Sequence, residues 1–340
     1  MRVEPIQTLR NLMIQALNLR NIKERDAKLI VEDHLAAQME GRLTHGIGKF
    51  LLLDAALAER EGAPHVVKRN GSCALVNGKK ELGHLAAQFC IDLLAKMAQD
   101  NGIAMVGMFN ASRYGRLSVY GNVLADQGLI GIVMNNGGPS AVVPFNGIDP
   151  IMGTNPICFS FPTNGGATSF DLSTSARVWG EIRQAVLEGR ELPDKVFLDK
   201  NGDFTRNPQT AEAVLPFDGA KGYALCLAIE ILTGALVSAR MGLTVQDQYD
   251  LGFLFIAIDP QVFVPLSAFQ TDIEVLFSSI CNSRSRPGAD LPRLPGQGSK
   301  EKRATAEALG EVSIDDETFK RLEQMSRTLD PGLESSNKMN

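Results

Sequence analysis

Four short segments of this 340-residue chain combine residue types that can hold an anion and move a proton. They are Thr44-His45-Gly46, Gly153-Thr154-Asn155-Pro156, Phe170-Asp171-Leu172-Ser173-Thr174-Ser175 and Lys221-Gly222-Tyr223. Glycine lets a backbone come close to a ligand, short hydroxyl and amide side chains bond ribose or turn backbone, and a lysine neutralises phosphate. Histidine is the side chain best tuned to exchange a proton near neutral pH.

The chain has only four histidines, so each can be weighed. His34 falls on an apolar helical face and reads as a packed side chain. His65 follows Pro64 in a loop and reads as solvated, and His84 starts a helix and reads as a partner of its first turn. His45 differs. Thr44 can orient its ring, Gly46 lets a substrate approach, and Lys49 follows one helical turn on, where a cation can hold a carboxylate while the imidazole works on the adjacent carbon. The plainer alternative is a helix-start histidine beside a chance lysine.

No G-x-G-x-x-G follows a strand, which removes the usual dinucleotide crevice, and no P-loop pattern occurs. Gly153–Pro156 can still present amide donors, with Thr154 and Asn155 either holding a tight turn or touching a ribose. Lys221-Gly222 opens a long apolar helix whose first N–H groups favour an anion. Asp171 can orient a donor, raise the pKa of a nearby histidine or bond a ribose; its structural alternative is to cap a helix over 176–189, which Ser175 could also do. Asp199-Lys200-Asn201-Gly202 lacks later ligands at calcium-loop spacing and reads as a turn, so no metal site is expected. Taken together, the segments predict a nicotinamide-dependent oxidoreductase without the usual fingerprint.

The elements that must position these groups follow from periodicity. Ile6–Leu17 and Ala27–Met39 repeat at helical spacing, and Thr44–Ala58 resumes that pattern. Strands are expected at 73–76, 103–108, 129–134, 157–161, 168–172 and 253–258. Helices are expected at 83–100, 117–127, 176–189 and 221–239, and again within 302–327. Residues 192–208 and 283–300 read as surface excursions. Such alternation predicts an α/β domain with helices on both sheet faces.

Composition excludes some classes. A net charge of −5 with scattered lysines and arginines lacks the concentrated basic face of a nucleic-acid binder. No apolar run is read as long enough to cross a bilayer, and Met1-Arg2-Val3-Glu4-Pro5 lacks the apolar core of a secretory signal. The five cysteines are dispersed in apolar contexts and read as small hydrophobes, in keeping with a cytoplasmic protein.

At these residues the chain resembles the malate/L-lactate dehydrogenase-like oxidoreductases, relatives of ureidoglycolate dehydrogenase and cyclic imino acid reductases. The likeness runs from Glu40 to Gln297. Besides the four segments it includes Leu192-Pro193, Pro216 and Pro295-Gly296-Gln297. The resemblance implies a non-Rossmann α/β fold, with a mixed-sheet cofactor domain (116–274) and a helical substrate and dimerisation domain (1–115 with 275–340). It implies a homodimer with a site between subunits, NAD or NADP as cofactor, and a small carboxylate as substrate. Residue by residue, it makes Thr44, His45 and Asp171 catalytic and Lys49 substrate-binding. It makes Gly153, Thr154, Asn155, Asp171, Leu172, Ser173, Lys221, Gly296 and Gln297 cofactor-binding.

Departures from the family pattern matter. Lys49 stands where the family has arginine, keeping the charge without the two-pronged grip. Arg113, in Asn110-Ala111-Ser112-Arg113-Tyr114-Gly115, stands where many members have a histidine; it cannot accept a proton and is assigned to a second anionic group of the substrate. Glu181 replaces a common lysine, and 241–251 reads as a shortened loop. The expected activity is NAD(P)H-dependent interconversion of a small 2-oxo or cyclic 2-imino acid with the 2-hydroxy or 2-amino acid. The alternative is a catalytically impaired cofactor- or metabolite-binding dimer.

Overall fold

The structure, a computed structural model, describes residues 2–329. The chain divides into two compact units, one comprising 1–61 with 296–340 and the other 62–295. The sheet unit thus begins earlier and ends later than the expected 116–274, taking in three strands (His65–Asn70, Cys73–Asn77 and Ile103–Phe109) and a helix (Gly83–Asn101) from the segment 1–115 that the sequence reading grouped with the helical domain.

The first unit opens with β1 (Arg2–Pro5), followed by α1 (Ile6–Leu19) and α2 (Glu24–Met39). Ile6, Leu9, Met13, Ala16 and Leu17 form the buried stripe of α1, at the spacing that defines an amphipathic helix. The expected long helix over 44–58 is broken instead. A 3-10 turn covers Leu43–His45, Gly46 is extended, and two short helices follow, α3 (Ile47–Phe50) and α4 (Leu53–Ala58).

The sheet unit then runs through β2 (His65–Asn70), β3 (Cys73–Asn77), α5 (Gly83–Asn101), β4 (Ile103–Phe109), α6 (Leu117–Ala125) and β5 (Ile130–Asn135). It continues with β6 (Ile157–Thr163), β7 (Gly166–Leu172), α7 (Gly180–Glu188) and three two-residue strands, β8 (Phe197–Leu198), β9 (Phe204–Thr205) and β10 (Ala213–Val214). It closes with α8 (Ala220–Thr233), β11 (Gly252–Ile258) and α9 (Leu266–Cys281). The chain returns to the first unit as α10 (Gln297–Leu309), β12 (Glu311–Ile314) and α11 (Asp316–Arg327); β12 pairs antiparallel with β1. The sequence reading missed β1, β2, α9 and β12, and His65, expected in a loop, begins the exposed edge strand β2.

The main sheet has seven strands in the order β2-β3-β4-β11-β5-β6-β7. Only β3 and β4 are parallel, joined by the α5 crossover; the other pairings are antiparallel. Alternation along the strands sorts two cores. Val106, Met108, Phe253 and Phe255 face one cluster, shared with Ala87, Ile91 and Leu94 of α5 and Tyr120 and Leu124 of α6. Met105, Leu254, Ile256 and Met134 face the other, beneath Leu225 and Ile229 of α8.

Contrary to the sequence reading, one segment among the described residues is long and apolar enough to cross a membrane by length and composition: Ala220–Val237. Its helix ends at Thr233, before Gly234, and its inward face, with Gly222, Cys226, Ile229 and Glu230, is buried in the sheet unit. The five cysteines are free thiols; Cys90, Cys158 and Cys226 are buried as expected, whereas Cys73 and Cys281 are exposed.

Candidate functional site

Because β11 and β6 run antiparallel to β4, β5 and β7, one end of the sheet collects the chain after β3, β4, β5 and β7 and before β6 and β11. Most of the sequence-predicted cofactor residues meet there. Thr154 presents its carbonyl to the Thr174 amide at 3.0 Å and to the Ser173 hydroxyl at 3.0 Å. The Thr174 carbonyl in turn accepts from the Phe217 amide at 3.0 Å, which brings the start of α8, and with it Lys221, beside the Ser173–Ser175 turn.

Glycine is required at three points of this cluster. A Cβ at Gly153 would stand 2.7 Å from the Gly137 nitrogen, and one at Gly137 would run into the Thr154 hydroxyl and the Thr154 and Asn155 amides. A Cβ at Gly222 would overlap the Phe217 carbonyl oxygen. Three backbone segments therefore pack without side chains between them, as a close-fitting cradle for a ligand demands.

Asn155 takes the first of its two expected roles. It lies in the left-handed region at φ 37° and is fully buried. Its Oδ1 accepts from the Gly137 amide at 3.0 Å, and its Nδ2 donates to the Cys226 carbonyl at 2.9 Å and to Glu230 Oε2 at 2.6 Å. The side chain holds the turn and has nothing left for a ribose. Glu230, which sequence reasoning passed over, is only 4% exposed and accepts from the Gly242 amide through Oε1 at 2.7 Å. A lone carboxylate within the apolar run Leu225–Leu232 was the available signal. Asn136, also passed over, is buried. It accepts from the Gly252 amide at 2.8 Å and donates to the Arg240 carbonyl at 2.9 Å.

Asp171 is the next-to-last residue of β7, and its Oδ2 accepts from the Ser118 amide at 3.0 Å, within the first turn of α6. A carboxylate suits that position because free N–H groups and the helix dipole converge on it. Neither Asp171 nor Ser175 caps α7, which starts only at Gly180. Burial, reinforced by Asp171, pushes the neighbouring Tyr114 phenol well above its ordinary range. Leu172 is exposed and Ser173 half-buried. Lys221 projects from the start of α8 with its side chain 86% exposed, 3.4 Å from Asp218. Glu181 lies between Arg177 and Arg190. The Asp199 loop is a turn: its Oδ1 accepts from the Asn201 and Asp203 amides.

Thr44, His45, Lys49, Gly296 and Gln297 belong to the other unit. The Thr44 hydroxyl lies 3.1 Å from His45 Nδ1, as expected from their adjacency. His34 is packed, as anticipated, and it also supports this turn, donating from Nδ1 to the His45 carbonyl at 2.8 Å. Gln38 completes the support, accepting from the Ile47 amide at 3.1 Å and donating to the Ser313 carbonyl at 2.8 Å. Gly46 has no room for a side chain, since a Cβ there would overlap Gln38 Oε1. Lys49 is not one turn along a continuous helix from His45, because the extended Gly46 separates the 3-10 turn from α3. Gly296, at φ 80°, is the N-cap of α10, and Gln297 opens that helix and donates to Glu301 at 3.0 Å.

A seven-stranded mixed sheet with a single parallel pair, and no G-x-G-x-x-G after a strand, is not a Rossmann fold. The malate/L-lactate dehydrogenase signature matches residues 5–323, and the chain belongs to that family. It is 32% identical over 332 residues to malate/(S)-sulfolactate dehydrogenase of Methanothermus fervidus, covering 94% of this chain and 96% of the relative. Ureidoglycolate dehydrogenase (NAD(+)) of Escherichia coli is 29% identical, with 91% and 92% covered. Delta(1)-pyrroline-2-carboxylate reductase 2 of Burkholderia multivorans is 30% identical, with 88% and 90% covered. The solved sulfolactate dehydrogenase of Methanocaldococcus jannaschii superposes with a TM-score of 0.88 at 29% identity, covering 96% of this chain and 97% of that one. The chain is an NAD(P)-dependent dehydrogenase/reductase.

Proposed function

We propose that this protein interconverts a small 2-oxo acid or cyclic 2-imino acid with the corresponding 2-hydroxy or 2-amino acid, using NAD or NADP. The observation that carries the reading is the convergence of the 153–155 turn, the 173–175 turn and the start of α8 at one sheet end, packed through glycines a Cβ would disrupt. That cradle fits a phosphate- and ribose-bearing cofactor. Backbone around Gly153, the Thr154 and Ser173 hydroxyls, Leu172 and Asp171 would line its ribose side, and Lys221 would neutralise phosphate from the helix start. Asn155 acts behind them, holding the turn. Gly296 and Gln297 at the start of α10 complete the set.

When bound, the nicotinamide gives or accepts the hydride. The protein's own part is the proton and the carboxylate. With Nδ1 engaged by the Thr44 hydroxyl, His45 presents Nε2 for the proton exchanged at the substrate oxygen or nitrogen. The hydroxyl can accept from Nδ1–H or donate to it, so it orients the ring in either protonation state. Lys49 holds the substrate carboxylate as a point charge, and Arg113 binds a further part of the substrate.

The assembly proposed is a homodimer, supported by apolar side chains that the single chain leaves exposed, including Val275 and Leu276 of α9 and Ile231 of α8. Five free thiols support a reducing compartment, the cytoplasm. The test follows NADH and NADPH absorbance with a panel of 2-oxo and cyclic 2-imino acids. Consumption of either cofactor with one of these classes is expected. No turnover with any of them would overturn the proposal.

A further inference from the structure

Along the sheet end the connections follow the strand order: the loops after β3 and β4, the segment before β11, then the turns after β5, before β6 and after β7. The last three carry the glycine-packed cradle proposed for the cofactor. The first three lie on the side where Arg113 is proposed to meet the substrate, and they pack on one another. Val245 and Leu251 join Ala111 and Tyr114 in one buried cluster, and the Lys80 ammonium sits over the Tyr249 ring at 5.4 Å. Glu230 of α8 reaches both sides. Its Oε2 accepts from Asn155 Nδ2 on the cofactor side at 2.6 Å, and its Oε1 accepts from the Gly242 amide on the other side at 2.7 Å.

Other contacts make 240–251 move as one piece. Arg240 and Asp250 close its neck, amide to carbonyl at 3.0 Å and Nε to carboxylate at 2.9 Å. Asn136 stands next to Gly137, whose amide Asn155 holds. It donates to the Arg240 carbonyl at 2.9 Å and accepts from the Gly252 amide at 2.8 Å. Gly242 lies in the left-handed region at φ 53°, and a Cβ at Gly234 would overlap Met241, so the entry to the loop has little slack. A carboxylate suits the bridging position because it offers one oxygen to each side, and its burial keeps water from replacing either bond. We infer that Glu230 is a positioning residue that couples the two sides of the site, a reading that rests on the proposed function for what each side holds. A cofactor settling on the 153–155 turn fixes the Asn155 carboxamide and, through Glu230, the 240–251 loop on the substrate side. Glu230 touches neither ligand. Such coupling is reciprocal, and for linked sites it is typically worth about 5- to 150-fold in affinity.

The test is amide hydrogen exchange read by mass spectrometry on the full-length protein, with and without saturating NADH or NADPH, in the wild type, Glu230→Gln and Glu230→Asp. In the wild type the cofactor slows exchange at 153–155 and also at 241–250, there by about fivefold or more. Glu230→Gln, with one acceptor oxygen in place of two, keeps the slowing at 153–155 and loses it at 241–250. Glu230→Asp, which keeps both oxygens, recovers part of it. A merely structural Glu230 would speed exchange at 241–250 equally with and without cofactor, so a cofactor effect that survives in Glu230→Gln overturns the inference. A wild-type loop whose exchange ignores the cofactor overturns it too, whether or not the variants fold. If 153–155 ignores the cofactor as well, the proposed cofactor seat falls with it, which tells the two failures apart. The measurement needs no turnover, so an enzyme inactive on the whole acid panel would sink the proposed activity and leave the coupling readable. On any acid the wild type accepts, Glu230→Gln raises KM at saturating cofactor by about fivefold or more and lowers kcat less; an unchanged KM overturns the inference.

Discussion

The Asn155 carboxamide donates to the Glu230 carboxylate at 2.6 Å, with both side chains buried between the sheet end and α8. Each is also bonded onward, Asn155 to the Gly137 amide and Glu230 to the Gly242 amide. Three loops distant in sequence are thereby tied to one helix, and the bonds are worth most where water cannot replace them.

This linkage predicts coupling. Glu230→Gln turns an amide group toward one of two existing donors and is expected to lower stability by about 1–3 kcal/mol. In a double-mutant cycle, Asn155→Ala and Glu230→Ala should be non-additive by roughly 0.5–3 kcal/mol in urea unfolding. Additive effects would show that the two residues act independently.

At Gly222 the restraint is steric. Gly222→Ala drives a Cβ into the Phe217 carbonyl, displacing the start of α8, and should cost about 1–3 kcal/mol. Gly298, also helical, has no described atom within 4 Å of an added Cβ. Gly298→Ala should therefore stabilise by up to about 1 kcal/mol from helix propensity alone. Chemical denaturation of both variants checks the contrast, and equal effects would discount the overlap.

His45→Ala should abolish turnover while leaving cofactor affinity nearly intact, because its ring meets the Thr44 hydroxyl and its turn is held by His34 and Gln38, none of them among the residues proposed to hold the cofactor. Thr44→Val, which removes the hydroxyl and keeps the shape, should lower kcat about tenfold or more through loss of ring orientation. Steady-state rates read beside NADH fluorescence titrations make the comparison. Retained turnover in His45→Ala would remove the imidazole from the chemistry.

Cys226 gives a pH prediction. Burial, the dominant cause, pushes its thiol up to about 11, against the opposing hydrogen bonds of Thr174 and Asn155. The native state therefore holds this proton where the unfolded chain, titrating near an ordinary thiol at about 8.5, has lost it. The stabilisation is complete below that value and is lost as pH rises through about 11. Urea midpoints should fall across this alkaline window, and Cys226→Ala should flatten part of the decline. An identical slope in the variant would count against it.

Much of the frame was readable because its signals are local. The 3.6-residue stripe of α1, the apolar runs of β4, β5, β6 and β11, and the glycine closing α5 at Gly102 each depend on neighbours in sequence. The misses have physical causes. β2 is an edge strand with every residue exposed, so no alternation marks it, and β1 and β12 are four-residue strands that only make sense as each other's partners. The helix expected over 44–58 was read from apolar spacing that ignores Gly46, whose extended backbone ends one turn and starts another.

For the site, residue type pointed to segments of which three converge at one sheet end, but not to what each side chain bonds. Asn155 and Asp171 were equally able to meet a ligand or a backbone amide until their surroundings were known. A carboxylate or carboxamide bonds the donors that the fold supplies, and those donors come from Gly137 and Ser118, eighteen and fifty-three residues away. The same holds for Arg113, whose charge is plain in the sequence while the burial of its Nε without an acceptor among the described residues emerges only from what packs around it.

The sequence by itself determined the class of chemistry, since glycine-bearing polar turns, a hydroxyl-flanked histidine and well-placed lysines are properties of residue type and spacing. The tertiary structure decided which of those groups are spent on the protein itself. That division depends on burial and on partners brought together across the sheet, because a polar side chain's free energy is set by the donors, acceptors and water around it rather than by its place in the chain.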